Sequence, residues 1–352
     1  FSDLRISHGY KSPYKYKIWG LGNEMDGPWQ VCHKTAHEYG RLTCETAKVM
    51  RYVDPDIELV ACGSSSPAMP TFIDWEMEVL MQAYEYINYI SLHRYYDNKA
   101  NDLENYLAQS MDMDRYIRSV ISICDTVKAK KRSKKIINLS FDEWNVWYHS
   151  MQKDEKNEPW QIAPHLLEDV YNFEDTLLIG LLLITLLRHC SRVKIACIAQ
   201  LVNVIAPIMT NDKSILYQTI FYPFMHVSNY GRGKVINPVI NSTKYDTRDF
   251  TDVARVDSIA VLNEQQNYIT IFAVNRDVMQ DGILEIDLRG FGKILDSKHI
   301  VISGKNIKEE NTFTNPNNII PREFQTPQIM ENRIIACLPN LSWNVIRLKL
   351  EK

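Results

Sequence analysis

Residues 16–30, YKIWGLGNEMDGPWQ, place a carboxylate at the point where an apolar run ends. The run at 18–21 has the length of a short buried strand, and Asn23 and Glu24 follow it almost at once. The Asp, Gly and Pro that come next stop regular structure. A surface glutamate needs no such setting, whereas a catalytic one does. If Glu24 is catalytic, the chain should contain a partner for it.

A second stretch, INLSFDEWNVWY at 137–148, repeats this arrangement. Its apolar strand ends at Glu143, beside tryptophans and with Asp142 as its neighbour. Adjacent residues of a strand point to opposite sides, so only one of these two acids can face a cleft. A strand-terminal acid that caps a loop is common, and either glutamate alone would be unremarkable. Two of them in tryptophan-rich settings indicate a functional pair.

Between residue 14 and about residue 231, short apolar runs alternate with longer segments of helical period. Such alternation predicts a parallel sheet covered by helices, and continuously apolar runs are typical of strands buried on both faces. The predicted strands lie at 16–22, 57–63, 87–93, 135–143 and 193–200. The helical segments lie at 35–53, 71–84, 102–130, 166–190 and 217–231.

This pattern fits either an open doubly wound sheet or a (β/α)₈ barrel. No GxGxxG or phosphate-binding loop follows any strand, which disfavours a nucleotide-binding sheet. Polar residues cluster instead at the carboxyl ends of the strands, where a barrel keeps its active site: Asn23, Glu24, His93, Tyr95, Glu143 and Gln200. After residue 231 only strand patterns remain, which predicts an all-β sandwich. We expect domains at 1–231 and 232–352.

Composition narrows the function classes. The 352 residues carry a net charge of −3, which argues against a general nucleic-acid or anionic-membrane binder. The longest apolar run, 177–187, is too short to span a bilayer and predicts a buried core helix. Seven cysteines without a CxxC pair indicate reduced thiols. The sequence around Cys32 and His37 lacks the four ligands of a structural zinc site, so we expect no metal.

Glycoside hydrolysis is the chemistry that requires two carboxyl groups. One gives a proton to the leaving oxygen, and the other, ionised, attacks the anomeric carbon or activates water. Nearby negative charge and an apolar environment raise the pKa of the group that must arrive protonated.

The stretches around Glu24 and Glu143 resemble a known family. WGLGNEMDGPWQ and FDEWNVWY look like the two signatures of glycoside hydrolase family 51, the α-L-arabinofuranosidases of clan A. SLHRYY is similar to the sixth barrel strand, IAQLVNVIAPIM to the eighth, and QTIFYPFMHVSNYGRG to the link into the β-sandwich. The resemblance implies strands 4–8 of a (β/α)₈ TIM barrel followed by a C-terminal, jelly-roll-like β-sandwich.

Carried over residue by residue, the resemblance makes Glu24 the general acid/base and Glu143 the nucleophile. It also implies four residues that bind sugar or orient the nucleophile: Asn23 on the sugar 2-hydroxyl, Tyr95 on Glu143, Gln200 on the furanose hydroxyls, and Trp147 as an apolar wall. It implies no cofactor and no metal.

The implied activity is that of a retaining, exo-acting α-L-arabinofuranosidase (EC 3.2.1.55) that trims arabinan or arabinoxylan. The reduced thiols predict a cytoplasmic location, and a homo-oligomer is expected by analogy with the family. Three alternatives stay open at this stage: another clan A glycosidase such as an endoglucanase or β-xylosidase, a transglycosylase that uses the same residues, and a non-catalytic carbohydrate-binding protein.

The sequence departs from the family pattern at its start. The fourth barrel strand already lies at residue 16, and the acidic residue, Arg and Asn that the first three strands of the family supply have no counterpart here. We therefore expect residues 1–352 to be part of a longer polypeptide, with about 150 residues upstream at roughly 30 or more per βαβ unit plus an extension. As given, the sheet should have two open edges.

Overall fold

The computed structural model describes residues 1–351. Its first sheet has five strands in chain order: β1 (Ile18–Gly20), β2 (Glu58–Ala61), β3 (Tyr89–Tyr96), β4 (Asn138–Val146) and β5 (Val193–Ile198). The first three strands pair in parallel. The order continues through backbone hydrogen bonds from Trp147 N to Tyr96 O and from Ala199 N to Trp144 O. All five predicted strands are present, and β1 and β5 form the edges.

Burial differs from the prediction at these edges. All three residues of β1 are exposed, and Ile18 and Trp19 keep 48% and 44% of their surface accessible. In strand β5, Val193 is buried, and the five residues after it are exposed or partly exposed. An apolar run is buried on both faces only where other elements cover it, and an edge strand has only one neighbour. The apolar pattern therefore identified the strands correctly but overestimated their burial.

Eight helices are described: α1 (Ser2–Ser7), α2 (Ala36–Val53), α3 (Asp74–Ala83), α4 (Leu103–Leu107), α5 (Ser110–Lys131), α6 (Met151–Asp154), α7 (Phe173–Arg188) and α8 (Phe221–Tyr230). Helix α2 begins at a capping box, in which the Thr35 hydroxyl accepts from Glu38 N and the Glu38 carboxylate accepts from Thr35 N. It ends at Val53, the predicted bound, with Asp54 as its C-cap directly before Pro55.

Two predicted helices have different bounds in the structure. The single helix expected over 102–130 is two helices, α4 and α5, with Ala108 as the C-cap of the first. The helix expected over 166–190 begins only at Phe173, because the Asn172 side chain accepts from Glu174 N and Asp175 N and so caps it. Apolar periodicity carries no information about such caps. A prediction based on it therefore merges neighbouring helices or makes a helix too long.

Helix α7 contains the longest apolar run and is a buried core helix, as predicted. Every residue from Phe173 to Leu186 is buried. Gly180 lies against the Trp343 indole, and a Cβ at that position would come within 2.5 Å of a ring carbon. Trp343 in turn stacks on Phe272 with ring centroids 5.7 Å apart. The helix is thus packed directly against the antiparallel strands.

The C-terminal strands form an antiparallel sandwich. Six strands make one sheet, in the order β15 (Arg322–Glu323), β14 (Ile294–Ile302), β18 (Ser342–Leu350), β12 (Tyr268–Asn275), β11 (Val256–Asn263) and β8 (Lys234–Ile236). Three make a second: β13 (Gly282–Asp287), β17 (Arg333–Leu338) and β16 (Gln328–Met330). Short pairs are formed by β6 (Ile208–Thr210) with β7 (Ile215–Tyr217) and by β9 (Lys244–Tyr245) with β10 (Val253–Ala254).

The sandwich core lies between alternating inward residues of the two sheets. Ile271 and Ile346 from the larger sheet belong to one apolar cluster with Ile334 and Leu338 from the smaller. Strands β13 and β17 of the smaller sheet show the alternation that period-two strand patterns predict, whereas β12 and β18 of the larger sheet are buried at most positions. The sequence assignment of an all-β sandwich to this region is confirmed.

The chain forms two compact units. The first comprises Phe1–His93 and Arg118–Phe141, and the second comprises Arg94–Ile117 and the chain from Asp142 onward. Strands β3 and β4 and helix α5 supply residues to both. The units do not follow the expected boundary at 231/232, which stays a prediction.

Candidate active site

Glu24 lies in a constrained turn after β1, in the first unit. Its φ is +45°, and Gly22 has a φ of +124°. The left-handed region is unfavourable for a residue with a Cβ, so the surrounding contacts must hold this conformation. Buried Asp26 supplies one such contact, because its carboxylate accepts from Ser65 N at 3.0 Å and from the Ser65 hydroxyl at 3.3 Å. Gly27 N also donates to Glu24 O at 2.9 Å.

The Glu24 side chain is 13% exposed and has three hydrogen-bond partners. His93 Nδ1, from the end of β3, lies 3.1 Å from Glu24 Oε1. Trp29 Nε1 donates to Oε2 at 2.6 Å, and Gln30 Nε2 donates to the same oxygen at 3.5 Å. A carboxylate with this number of partners is held in one orientation, as a catalytic group requires.

Burial raises the pKa of Glu24, but the hydrogen bonds from His93 and Trp29 outweigh it, so that the pKa lies below its usual value. This differs from the sequence-based expectation of a raised pKa for the group that arrives protonated. The contact with His93 can favour either form, because the role of Nδ1 depends on the tautomer. With Nδ1 protonated it stabilises the carboxylate, and with Nδ1 as acceptor it stabilises the acid.

Glu143 lies on β4 in the second unit, and Tyr95 of β3 is its partner. Tyr95 Oη donates to Glu143 Oε1 at 2.8 Å. The Tyr95 ring contacts Trp147 edge to face, with ring centroids 5.2 Å apart and planes at 70°. The structure thus brings together three of the predicted site residues. The geometry is that of a carboxylate oriented by one phenol beside an aromatic wall.

Asp142 has a different environment from its neighbour Glu143. Burial and the Asp142 charge raise the pKa of the Cys197 thiol on β5. Glu143 instead accepts a hydrogen bond from Tyr95 Oη. Such different neighbours are expected for adjacent residues of a strand, whose side chains point to opposite sides.

Asn23 and Gln200, the other two predicted sugar-binding residues, have exposed side chains. Gln200 follows β5, and its backbone N donates to Ile205 O at 3.0 Å. Fully buried Asn145 donates to both Ala199 O and Ile205 O at 2.7 Å. Asn145 therefore connects the end of β4 to the segment that carries Gln200. No role for Asn145 is predicted from the sequence, and the structure gives it a positional one.

Sequence reasoning missed two partners of Glu24. The sequence places His93 at the carboxyl end of a predicted strand without giving it a role, and it assigns none to Trp29. Trp29 lies within the quoted motif, five residues after Glu24, and His93 ends a predicted strand. Both signals were visible, but nothing in a linear pattern showed that these side chains would reach the same carboxylate.

Within residues 1–351, none of the helices combines the length and the apolar character that a bilayer crossing requires.

Comparison with known proteins agrees with this geometry. Residues 142–342 match the family model of the α-L-arabinofuranosidase C-terminal domain. The chain is 59% identical to the intracellular exo-α-(1→5)-L-arabinofuranosidase 1 of Bacillus subtilis over 99% of this chain and 70% of the relative. It is 55% identical to the intracellular exo-α-(1→5)-L-arabinofuranosidase of Acetivibrio thermocellus, with the same coverage.

A solved family 51 α-L-arabinofuranosidase from Bifidobacterium longum has the same fold. It superposes with a TM-score of 0.91 at 38% identity, over 98% of this chain and 69% of that one. A family 44 endoglucanase from Clostridium acetobutylium, at 13% identity and a TM-score of 0.61, shares the fold alone. The chain therefore belongs to the α-L-arabinofuranosidases of glycoside hydrolase family 51.

Proposed function

We propose that this protein is a retaining α-L-arabinofuranosidase that releases terminal, non-reducing arabinofuranosyl residues, with Glu143 as nucleophile and Glu24 as general acid/base. The observation that carries the proposal is the 2.8 Å hydrogen bond from Tyr95 to Glu143 at the end of β4. It orients a carboxylate as a nucleophile requires, in a chain of the arabinofuranosidase family. Glu24, with its own set of partners, supplies the second carboxyl group.

The reaction proceeds by double displacement. In the first step Glu143 attacks the anomeric carbon, the glycosidic C–O bond breaks, and Glu24 gives its proton to the leaving oxygen. In the second step Glu24 removes a proton from water, which attacks the anomeric carbon and releases Glu143. For the direct attack the two carboxyl groups should lie about 5–5.5 Å apart, because no water need fit between them.

The partners of Glu24 suit its change of role. The second step needs the carboxylate form, which the Trp29 donor and a protonated His93 Nδ1 favour. The first step needs the acid form, which His93 favours when its Nδ1 is the acceptor. We infer that the His93 tautomer follows the protonation of Glu24 through the cycle.

The remaining roles follow from family membership. Asn23 binds the sugar 2-hydroxyl, Gln200 binds the other furanose hydroxyls, and Trp147 forms the apolar wall beside Tyr95. The substrate is an arabinose-containing oligosaccharide or polysaccharide, with α-(1→5)-linked arabinan as the first choice, because several relatives are named for that linkage. An intracellular location rests on the same names, and a homo-oligomer on analogy.

A panel of p-nitrophenyl glycosides tests the activity. We expect hydrolysis of the α-L-arabinofuranoside, with NMR showing an initial product of retained anomeric configuration. Preference for a xyloside or a glucan would favour another clan A glycosidase, and binding without turnover would favour a carbohydrate-binding protein. An inverted product would refute the nucleophile role of Glu143.

Substitution of the two acids separates their roles. Glu143→Ala should abolish turnover of every substrate. Glu24→Ala should slow poor leaving groups most, since good ones depart without a proton, and azide should accelerate this variant by attacking the intermediate without base help. Equal losses on p-nitrophenyl and natural substrates, with no effect of azide, would show that Glu24 is not the acid/base.

A further inference from the structure

Two adjacent acids, Glu174 and Asp175, begin helix α7 and are fully buried. We call them the α7 acid pair. The helix dipole favours negative charge at this position, but burying two carboxylates is costly unless they are paired and hydrogen-bonded. The catalytic steps described above do not use them. Their partners therefore show what this buried charge does.

Glu174 connects two segments of the candidate site. Its Oε2 accepts from Asn98 Nδ2 at 3.2 Å, and its Oε1 accepts from Tyr148 Oη at 3.1 Å. Asn98 lies three residues after Tyr95, and Tyr148 directly follows Trp147. One carboxylate thus holds the segment after β3 and the segment after β4, just beyond the two aromatic residues that contact each other beside Glu143.

Asp175 strengthens the same connection. It accepts from Tyr106 Oη at 2.7 Å and from His149 Nε2 at 2.9 Å. Burial lowers the pKa of His149, but the hydrogen bond and charge of Asp175 outweigh it, so that this pKa is raised. Asp169, also fully buried, accepts the backbone N–H groups of Tyr148, His149 and Ser150. The segment after Trp147 is thereby fixed by three carboxylates.

The counter-ion of Glu174 comes from the C-terminal strands. Lys308, in the loop between β14 and β15, donates from Nζ to Glu174 Oε1 at 2.5 Å. The side chain of Lys308 is 44% exposed, whereas that of Glu174 is 1% exposed. Ile307 O in the same loop accepts from Glu174 N at 3.0 Å. The loop therefore contacts the helix start through its backbone as well as through the lysine.

We propose that Glu174 is a positioning residue of the glycosidase site and that Lys308, its counter-ion, supports turnover through Glu174 without contacting a reacting atom. Together they hold the segments that follow Tyr95 and Trp147, and so keep Tyr95 in hydrogen-bonding reach of Glu143. Because catalysis depends steeply on such geometry, loss of Lys308 reduces turnover rather than substrate binding. The kinetic part of this proposal rests on the function proposed above.

The test compares three lysine variants of the full chain on p-nitrophenyl α-L-arabinofuranoside, well below each unfolding midpoint. Lys308→Met should lower kcat about tenfold or more with little change in KM. Lys308→Arg should retain most of the activity, because it keeps the charge. Lys305→Met is the matched control, an exposed lysine three residues earlier in the same loop, and should behave as wild type.

Tyr148→Phe gives a second route, because it removes the bond to Glu174 without disturbing a charge. It should lower kcat in the same direction, and the effects of Tyr148→Phe and Lys308→Met should be non-additive, since both act through Glu174. Wild-type kcat in Lys308→Met, or a loss fully explained by the folded fraction from active-site titration, would overturn the proposal.

Amide hydrogen exchange tests the positioning without any turnover. Lys308→Met should speed exchange at Tyr148, His149 and Ser150, whose N–H groups bond Asp169. Unchanged exchange would refute the positional role even in an active enzyme. A wild-type protein that does not hydrolyse arabinofuranosides would instead refute the proposed function, and the exchange experiment would still decide the role of Lys308.

Discussion

Removal of one phenolic hydroxyl should distinguish an oriented nucleophile from an ordinary strand-end glutamate. Tyr95→Phe deletes the donor that lies 2.8 Å from Glu143 Oε1. It leaves the aromatic ring in place, so the edge-to-face contact with Trp147 at 5.2 Å should persist. The substitution therefore tests the hydrogen bond alone.

The size of the effect follows from the kind of bond. A hydrogen bond to a charged group contributes about 1.5–3 kcal/mol, and about 1.36 kcal/mol corresponds to a tenfold change in rate. Tyr95 and Glu143 are both only half-buried, so solvent can replace part of the lost interaction. We expect kcat/KM for p-nitrophenyl α-L-arabinofuranoside to fall by about 10- to 150-fold, nearer the lower value.

Strand β3 contains a matched control. Tyr89, at the amino end of the strand, donates to Glu58, so Tyr89→Phe removes a second tyrosine–glutamate hydrogen bond. It should leave kcat/KM unchanged, because neither residue belongs to the candidate site. Wild-type kcat/KM in Tyr95→Phe would refute the orienting role of Tyr95. Equal losses in both variants would show that the strand, and not the contact with Glu143, was disturbed.

Three further predictions concern other parts of the molecule. Trp29→Phe removes a donor that favours the carboxylate form of Glu24, so the pKa of Glu24 should rise. The alkaline limb of the pH–kcat/KM profile should then move to higher pH. An unchanged alkaline limb would exclude this hydrogen bond in solution. Burial lowers the pKa of His226 to about 4 from 6.5, and its Nδ1 accepts from Trp343 Nε1 at 3.1 Å. As the pH falls, His226 becomes protonated in the unfolded chain before it does in the folded protein. The stability that neutral His226 contributes is therefore complete above pH 6.5 and is lost, by about 3 kcal/mol, as the pH falls towards 4. Urea unfolding across this range should show a smaller pH dependence for His226→Gln than for wild type. Gly180→Ala places a methyl group 2.5 Å from the Trp343 ring and should destabilise the fold by about 1–3 kcal/mol in the same unfolding assay, and an unchanged midpoint would show that the helix shifts freely.

The local sequence determined where most helices and strands lie along the chain. Apolar runs identified β1 to β5, and a residue such as Asp54 before Pro55 ended a helix where expected, because hydrophobic period and capping act within a few neighbouring residues. Strand-terminal position was equally local, so Glu24 and Glu143 could be selected without a structure. Their roles came from the resemblance to family 51, since spacing alone says that two acids exist but not what each one does.

Only the tertiary structure decided which groups share a proton or a charge. His93 reaches Glu24 from 69 residues away, and Lys308 reaches Glu174 across 134. The sequence pattern assigned the start of α7 to an apolar core helix, although the α7 acid pair, Glu174 and Asp175, is buried there in a polar network. It also assigned β1 to the interior, whereas β1 is exposed. Burial and hydrogen-bond partners depend on chain segments that are distant in sequence, and a periodic pattern carries information only about its own neighbourhood.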